Sequence, residues 1–104
     1  MIKLSNAFSI QMLTDNSKVR FRQVTKEYVT RKLQTGFESY IGHPDLAAVV
    51  GDVTGITVSA NRASLQLTDE DVLIVAQYRG PRLPEGATKL PEGAAIEFWK
   101  VTLL

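Results

Sequence analysis

Residues 72–78, VLIVAQY, constrain this chain more than any other stretch. The segment is nearly all apolar, the mark of a central strand buried on both sides. Other segments offer it neighbours. In MIKLSNAFS, Ile2, Leu4 and Asn6 alternate with Lys3 and Ser5, which predicts an opening strand ending near Phe8. SKVRFRQV alternates strictly, Val19, Phe21 and Gln23 against Arg20, Arg22 and Val24, and reads as a strand with one polar face. ASLQLT predicts another, joined to VLIVAQY by an acidic turn, Thr68-Asp69-Glu70-Asp71, that reads as plainly solvated. IEFWKVTLL supplies the last strand.

Two helices fall between these strands. Thr25 is placed to cap KEYVTRKLQ, in which Tyr28, Val29 and Leu33 lie at helical spacing and Gly36 stops the run. Pro44 and Asp45 are residues favoured in a helix's first turn, so a second helix starts there and His43 stands at or just before its N-terminus. Leu46, Val49, Val50 and Val53 form its buried face, and Gly55 caps it. Ser9 is suited to capping a short helical turn over Ile10 to Leu13. The 104 residues, 44% of them hydrophobic, suit one domain. The expected fold class is α+β: a mixed sheet of about five strands with helices packed on it, in a single small domain spanning residues 1–104.

The absence of cysteine removes disulfides, thiolate nucleophiles and cysteine zinc sites together. A lone histidine, His43, cannot build a two-histidine metal site within one chain, so neither a metal nor a cofactor is expected. A net charge of +1 is far from the basic balance of general DNA or RNA binders, but leaves room for a small, specific anionic ligand. The N-terminal residues lack a signal peptide's apolar core, and no window is long and apolar enough to span a bilayer. These features predict a soluble, cytoplasmic protein with no membrane partner.

Between Gln77 and Ala95 the chain is rich in proline and glycine, and its three prolines make it stiff. It holds Leu-Pro-Glu-Gly twice, at 83–86 and 90–93, the first reached through Arg79-Gly80-Pro81-Arg82 and the second through Ala87-Thr88-Lys89. Each suggestive residue has an ordinary reading. Glu85 and Glu92 are turn residues by context. Arg79 and Arg82 are surface charges, Asn61-Arg62 is a turn, and a single histidine beside a helix start is a solvent-facing residue.

Taken in order, LSNAFSIQML, ESYIGHPDLAAVVGDVTGI, ANRASLQL, DVLIVAQYRGPRLPEG and IEFWKVTLL resemble the small viral ring-nuclease family. These are anti-CRISPR enzymes that destroy cyclic tetra-adenylate, the second messenger of type III CRISPR defence. The resemblance runs through essentially the whole chain. It implies that His43, in Ile-Gly-His, is the catalytic histidine, and that Arg82 and Glu85 are the basic and acidic residues of the Arg-Leu-x-Glu-Gly loop. It further implies that Arg62, Gln77 and the stretch Asn6, Ala7, Phe8 and Ser9 contact the ligand. A homodimer is also implied, and, were the protein viral, residence in the host cytoplasm. The second Leu-Pro-Glu-Gly departs from the family, so Glu85 is assigned to the site and Glu92 to the turn before the last strand.

The chemistry implied needs no metal. The ribose 2′-hydroxyl attacks the adjacent phosphorus once held in line, leaving a 2′,3′-cyclic phosphate and a free 5′-hydroxyl, so positioning contributes most. His43 would protonate the departing 5′-oxygen, a task suited to an imidazole, whose ordinary pKa is about 6.5. Arg82 would give a phosphate two parallel hydrogen bonds. Glu85 has three roles open to it: orienting the 2′-hydroxyl, acting as its base, or fixing Arg82 or His43. Two other classes compete, a non-catalytic sponge for the same messenger and a small nucleic-acid or protein-binding regulator. Cleavage should persist in excess EDTA. Loss of turnover in chelator, restored by magnesium or manganese, would replace this chemistry with a carboxylate metal site around Asp69, Glu70 and Asp71.

Overall fold

The computed structural model describes residues 1–104. In chain order the elements are β1 (Ile2–Ser5), a 3-10 turn (Ile10–Met12), β2 (Val19–Val24), α1 (Lys26–Gln34), β3 (Glu38–Ser39), α2 (Pro44–Thr54), β4 (Val72–Arg79) and β5 (Ala95–Leu103). The five strands form one mixed sheet in the order β2-β5-β4-β1-β3. β1 runs parallel to β3 and β4, with Leu4 opposite Ser39 on one side and Ile74 on the other. β5 runs antiparallel to β2 and β4.

Alternation along β4 sorts the core into two layers. Ile74 and Ala76 point toward the helices and pack with Leu4, Val29, Leu33, Ile41, Leu46, Ala47, Val50 and Phe98. Leu73 and Val75 point the other way, onto Met12, Leu65, Leu67 and Val101. A fully buried aliphatic side chain such as Ile74 is worth about 2 to 3 kcal/mol over exposure, so the apolar run does fix the centre of the sheet. Local chemistry sets the helix starts. The Thr25 hydroxyl accepts from the Tyr28 N–H at 3.1 Å, and Pro44 occupies the first turn of α2.

Three expectations need correction. The first strand stops at Ser5 rather than near Phe8, because the Ser5 hydroxyl turns back to bond the Ala7 carbonyl at 3.0 Å. ASLQLT is not a strand. Leu65 and Leu67 are buried and Gln66 is exposed, but the segment forms no ladder: apart from the turn at Thr68, its one backbone–backbone bond runs from the Leu67 N–H to the Met12 carbonyl at 2.8 Å. The fifth strand is instead the two-residue β3, followed by Tyr40, whose N–H donates to the Leu4 carbonyl at 2.7 Å.

The third correction concerns the acidic turn. Asp69 and Glu70 are exposed, but Asp71 is only 7% exposed. Its carboxylate accepts from Lys3 Nζ and the Thr68 N–H, both at 2.9 Å, and from the Thr68 hydroxyl at 3.1 Å. Burial pushes this carboxyl up, but the Lys3 ammonium and Thr68 outweigh it and hold its pKa below the ordinary carboxylate value. The pair bolts the start of β1 to the segment leading into β4. Lys3→Met, which strands the carboxylate, should cost about 3 kcal/mol near neutral pH. A depressed folded-state pKa gives stability that is present above the ordinary carboxyl value and lost as pH falls through the folded one. Urea denaturation should therefore show the two proteins far apart at neutral pH and converging in acid.

Candidate functional site

The parallel pairing of β1 with β3 and β4 gathers three strand carboxyl ends at one edge of the sheet, the edge where ligands bind in open α/β sheets. From that edge the chain passes through residues 40–43 into α2, while the loop after β4 folds back over it. Between them lies a cleft of about 710 Å³ lined by His43, Asp45, Leu46, Tyr78, Gly80, Arg82, Leu83 and Glu85.

His43 is the residue preceding the first turn of α2, with extended φ −117° and ψ 123°. Its carbonyl accepts the first helical bond, from the Ala47 N–H at 3.0 Å, but its imidazole caps nothing and is exposed. The ring is left free, and the first-turn amides that cannot bond within the helix have no cap from it. The backbone beneath is laced down by Asn61-Arg62. Asn61 N–H donates to the Ile41 carbonyl at 2.8 Å, Asn61 Nδ2 to the Ser39 carbonyl at 2.9 Å, and Arg62 Nε to the Gly42 carbonyl at 2.9 Å. Asn-Arg and Ile-Gly-His are thus one structural unit.

The loop between β4 and β5 is built from closed turns. Both Leu-Pro-Glu-Gly copies make the same one: Ala87 N–H donates to the Pro84 carbonyl, and Ala94 N–H to the Pro91 carbonyl, each at 3.1 Å. Gly86 at φ 79° and Gly93 at φ 81° take the left-handed third position that such a turn demands. The doubling is therefore a repeated turn, with Glu85 and Glu92 at equivalent places. Only the first copy reaches the cleft. At the loop's neck Gly80 has φ 147°, and a methyl group there would lie 2.7 Å from the Ala94 Cβ, so the strands leave no room for a side chain.

The two arginines flanking that glycine part company. Arg79 points to the face of the sheet away from the helices and pairs with Glu97 at 2.9 Å, largely in solvent. Arg82 joins the His43 cleft and takes part in neither of the protein's two salt bridges, Lys3–Asp71 and Arg79–Glu97. One guanidinium, one imidazole and the carboxylates of Asp45 and Glu85 share the cleft. Such a set holds an anion and also has groups that move a proton.

None of the other expected contact residues lines this cleft. Arg62 abuts Gly42, one residue from His43. Asn6 and Ala7 follow the end of β1, and Ser9 caps the 3-10 turn by accepting from the Gln11 N–H at 3.3 Å. Phe8 and Gln77 are on the opposite face, in a cleft of about 490 Å³ with Phe21 and Trp99. The ring of Phe8 meets that of Phe21 edge to face, centroids 5.2 Å apart. Sequence reasoning missed Tyr78 and Asp45 as cleft residues. The period-two count from Ile74 through Ala76 to Tyr78 carried the signal for the first. Asp45 gave none beyond its helix-start preference.

A protein-family model described as STIV B116-like matches residues 2–99. Among solved structures, B116 of Sulfolobus turreted icosahedral virus is similar with a TM-score of 0.79, over 97% of this chain and 97% of that one. The two are 22% identical, a likeness that carries the fold alone. No curated protein matches the chain. No helix is long and apolar enough to cross a membrane.

Proposed function

The chain belongs to the STIV B116-like family, and from that premise we propose that it is a metal-independent ring nuclease that binds and cleaves cyclic tetra-adenylate, switching off type III CRISPR signalling. The observation that carries this reading is the meeting of His43, Arg82 and Glu85 in one cleft at the N-terminus of α2. His43 meets there two residues 39 and 42 positions further along the chain, and together the three are a proton donor, a cation free of any salt bridge and a carboxylate.

A phosphate in the cleft meets the first-turn amides of α2 and the fork of Arg82. With the ribose 2′-hydroxyl held in line, its oxygen attacks phosphorus, a 2′,3′-cyclic phosphate forms, and the bond to the 5′-oxygen breaks. His43 delivers its proton to that oxygen, while Arg82 stabilises the charge gathering on the phosphoryl oxygens. Glu85 takes or orients the 2′-hydroxyl proton. His43 and Glu85 together in the cleft favour this reading over a sponge, since a site that only holds the messenger has no use for groups that move a proton. Asn6, Ala7, Phe8, Ser9 and Gln77 surround the carboxyl ends of β1 and β4, so a ring lying across the strand ends meets both faces of the sheet. Four identical nucleotides closed in a ring have two-fold symmetry, which a two-fold homodimer matches with one His43 per scissile bond.

In single-turnover assays, His43→Ala should still bind cyclic tetra-adenylate while cleavage falls by roughly 10²–10⁴. A variant that cleaves normally but binds weakly would reduce His43 to a ligand contact, and a wild type that binds without product would make the protein a sponge.

Glu85→Ala should slow cleavage at least about tenfold, equal to 1.4 kcal/mol of barrier, and Glu92→Ala should change little. The reverse ranking would move the active copy of the loop to the second turn.

A further inference from the structure

Arg82 has no hydrogen-bonding partner of its own in the structure, but the peptide that launches it does. The Tyr78 hydroxyl donates to the Pro81 carbonyl, closing a loop of four residues at the top of β4. A peptide unit is planar, so the Pro81 oxygen and the Arg82 nitrogen turn together. Fixing that oxygen fixes the plane from which the Arg82 Cα and side chain depart. Proline restricts the same peptide from the other end through its locked φ. On either side, Gly80 is wedged against Ala94 and Leu83 packs into the helix-side core. The Tyr78 ring itself is half-buried against that core, so the hydroxyl is presented from the central strand of the sheet.

We infer that Tyr78 is a positioning residue: its hydroxyl sets the orientation of the Pro81–Arg82 peptide and thereby aims Arg82 into the His43 cleft. The effect on catalysis rests on the ring-nuclease reading, whereas the effect on Arg82 does not. Tyr78 lines the same cleft as His43, but acts from below, through the loop backbone. A 1 Å misplacement of a positioned group is enough to cost orders of magnitude in rate, so the loss of one remote hydroxyl is readable.

The test is Tyr78→Phe, which keeps the packed ring and removes only the donor. The NMR order parameter of the Arg82 backbone N–H should fall while those in β4 and α2 stay at wild-type values. Cleavage of cyclic tetra-adenylate should fall about tenfold. In an Arg82→Ala background the same substitution should slow cleavage no further, since residues that act through one another are not additive. Equal losses in both backgrounds would overturn the assignment and leave Tyr78 a general support of the fold. So would an Arg82 order parameter equal to that of the wild type. If the wild type proves not to cleave the ring, the nuclease reading falls, and the amide measurement still decides what Tyr78 does.

Discussion

The four residues of β1 hold the architecture together, because they pair in parallel on both sides. Parallel partners cannot be joined by a tight turn, so the chain must cross over the sheet to reach each of them. Those crossovers carry α1 and α2, which cover one face of the sheet. The same pairing decides where the sheet's carboxyl ends point. It brings the end of β3, the start of α2 and the loop after β4 to a common edge, which is why His43 and Arg82 meet at all. The buried ion pair between Lys3 and Asp71 secures this arrangement at its amino-terminal end, where β1 lies beside β4.

Much of the frame was legible in the residues. VLIVAQY predicted the central strand, Thr25 and Pro44 marked helix starts that the structure has, and IEFWKVTLL is β5. What misled was alternation without a ladder. Leu65 and Leu67 bury their side chains against the face of the sheet opposite the helices, so the pattern of a strand arises from packing alone. Period two reports which side chains are inside, and says nothing of which backbone groups are paired. β3 failed to register for the opposite reason. Glu38 and Ser39 have no strand-like composition, and they pair because β1 has a free edge there.

The same distinction applies to the cleft. Individual residue types at 43, 82 and 85 were visible as chemistry, and the resemblance to a known family assigned them together. Two features lay beyond single-residue reading. One is that Asn61-Arg62 holds the backbone ahead of His43. The other is that Arg79 and Arg82, three residues apart, are sent to opposite faces of the sheet. Both follow from backbone geometry, the first from carbonyls left free beside β3 and the second from the reversal at Gly80.

The paired Leu-Pro-Glu-Gly turns also bear on how such a chain can vary over generations. Each turn closes on its own hydrogen bond, Ala87 to Pro84 and Ala94 to Pro91, and neither borrows a contact from the other. Thr88 and Lys89, between them, are exposed and make no hydrogen bond that holds either turn. Residues inserted or deleted at that point would leave Glu85 where it is and the approach to β5 where it is. The loop thus divides into a fixed half facing the cleft and a half whose length is free to drift.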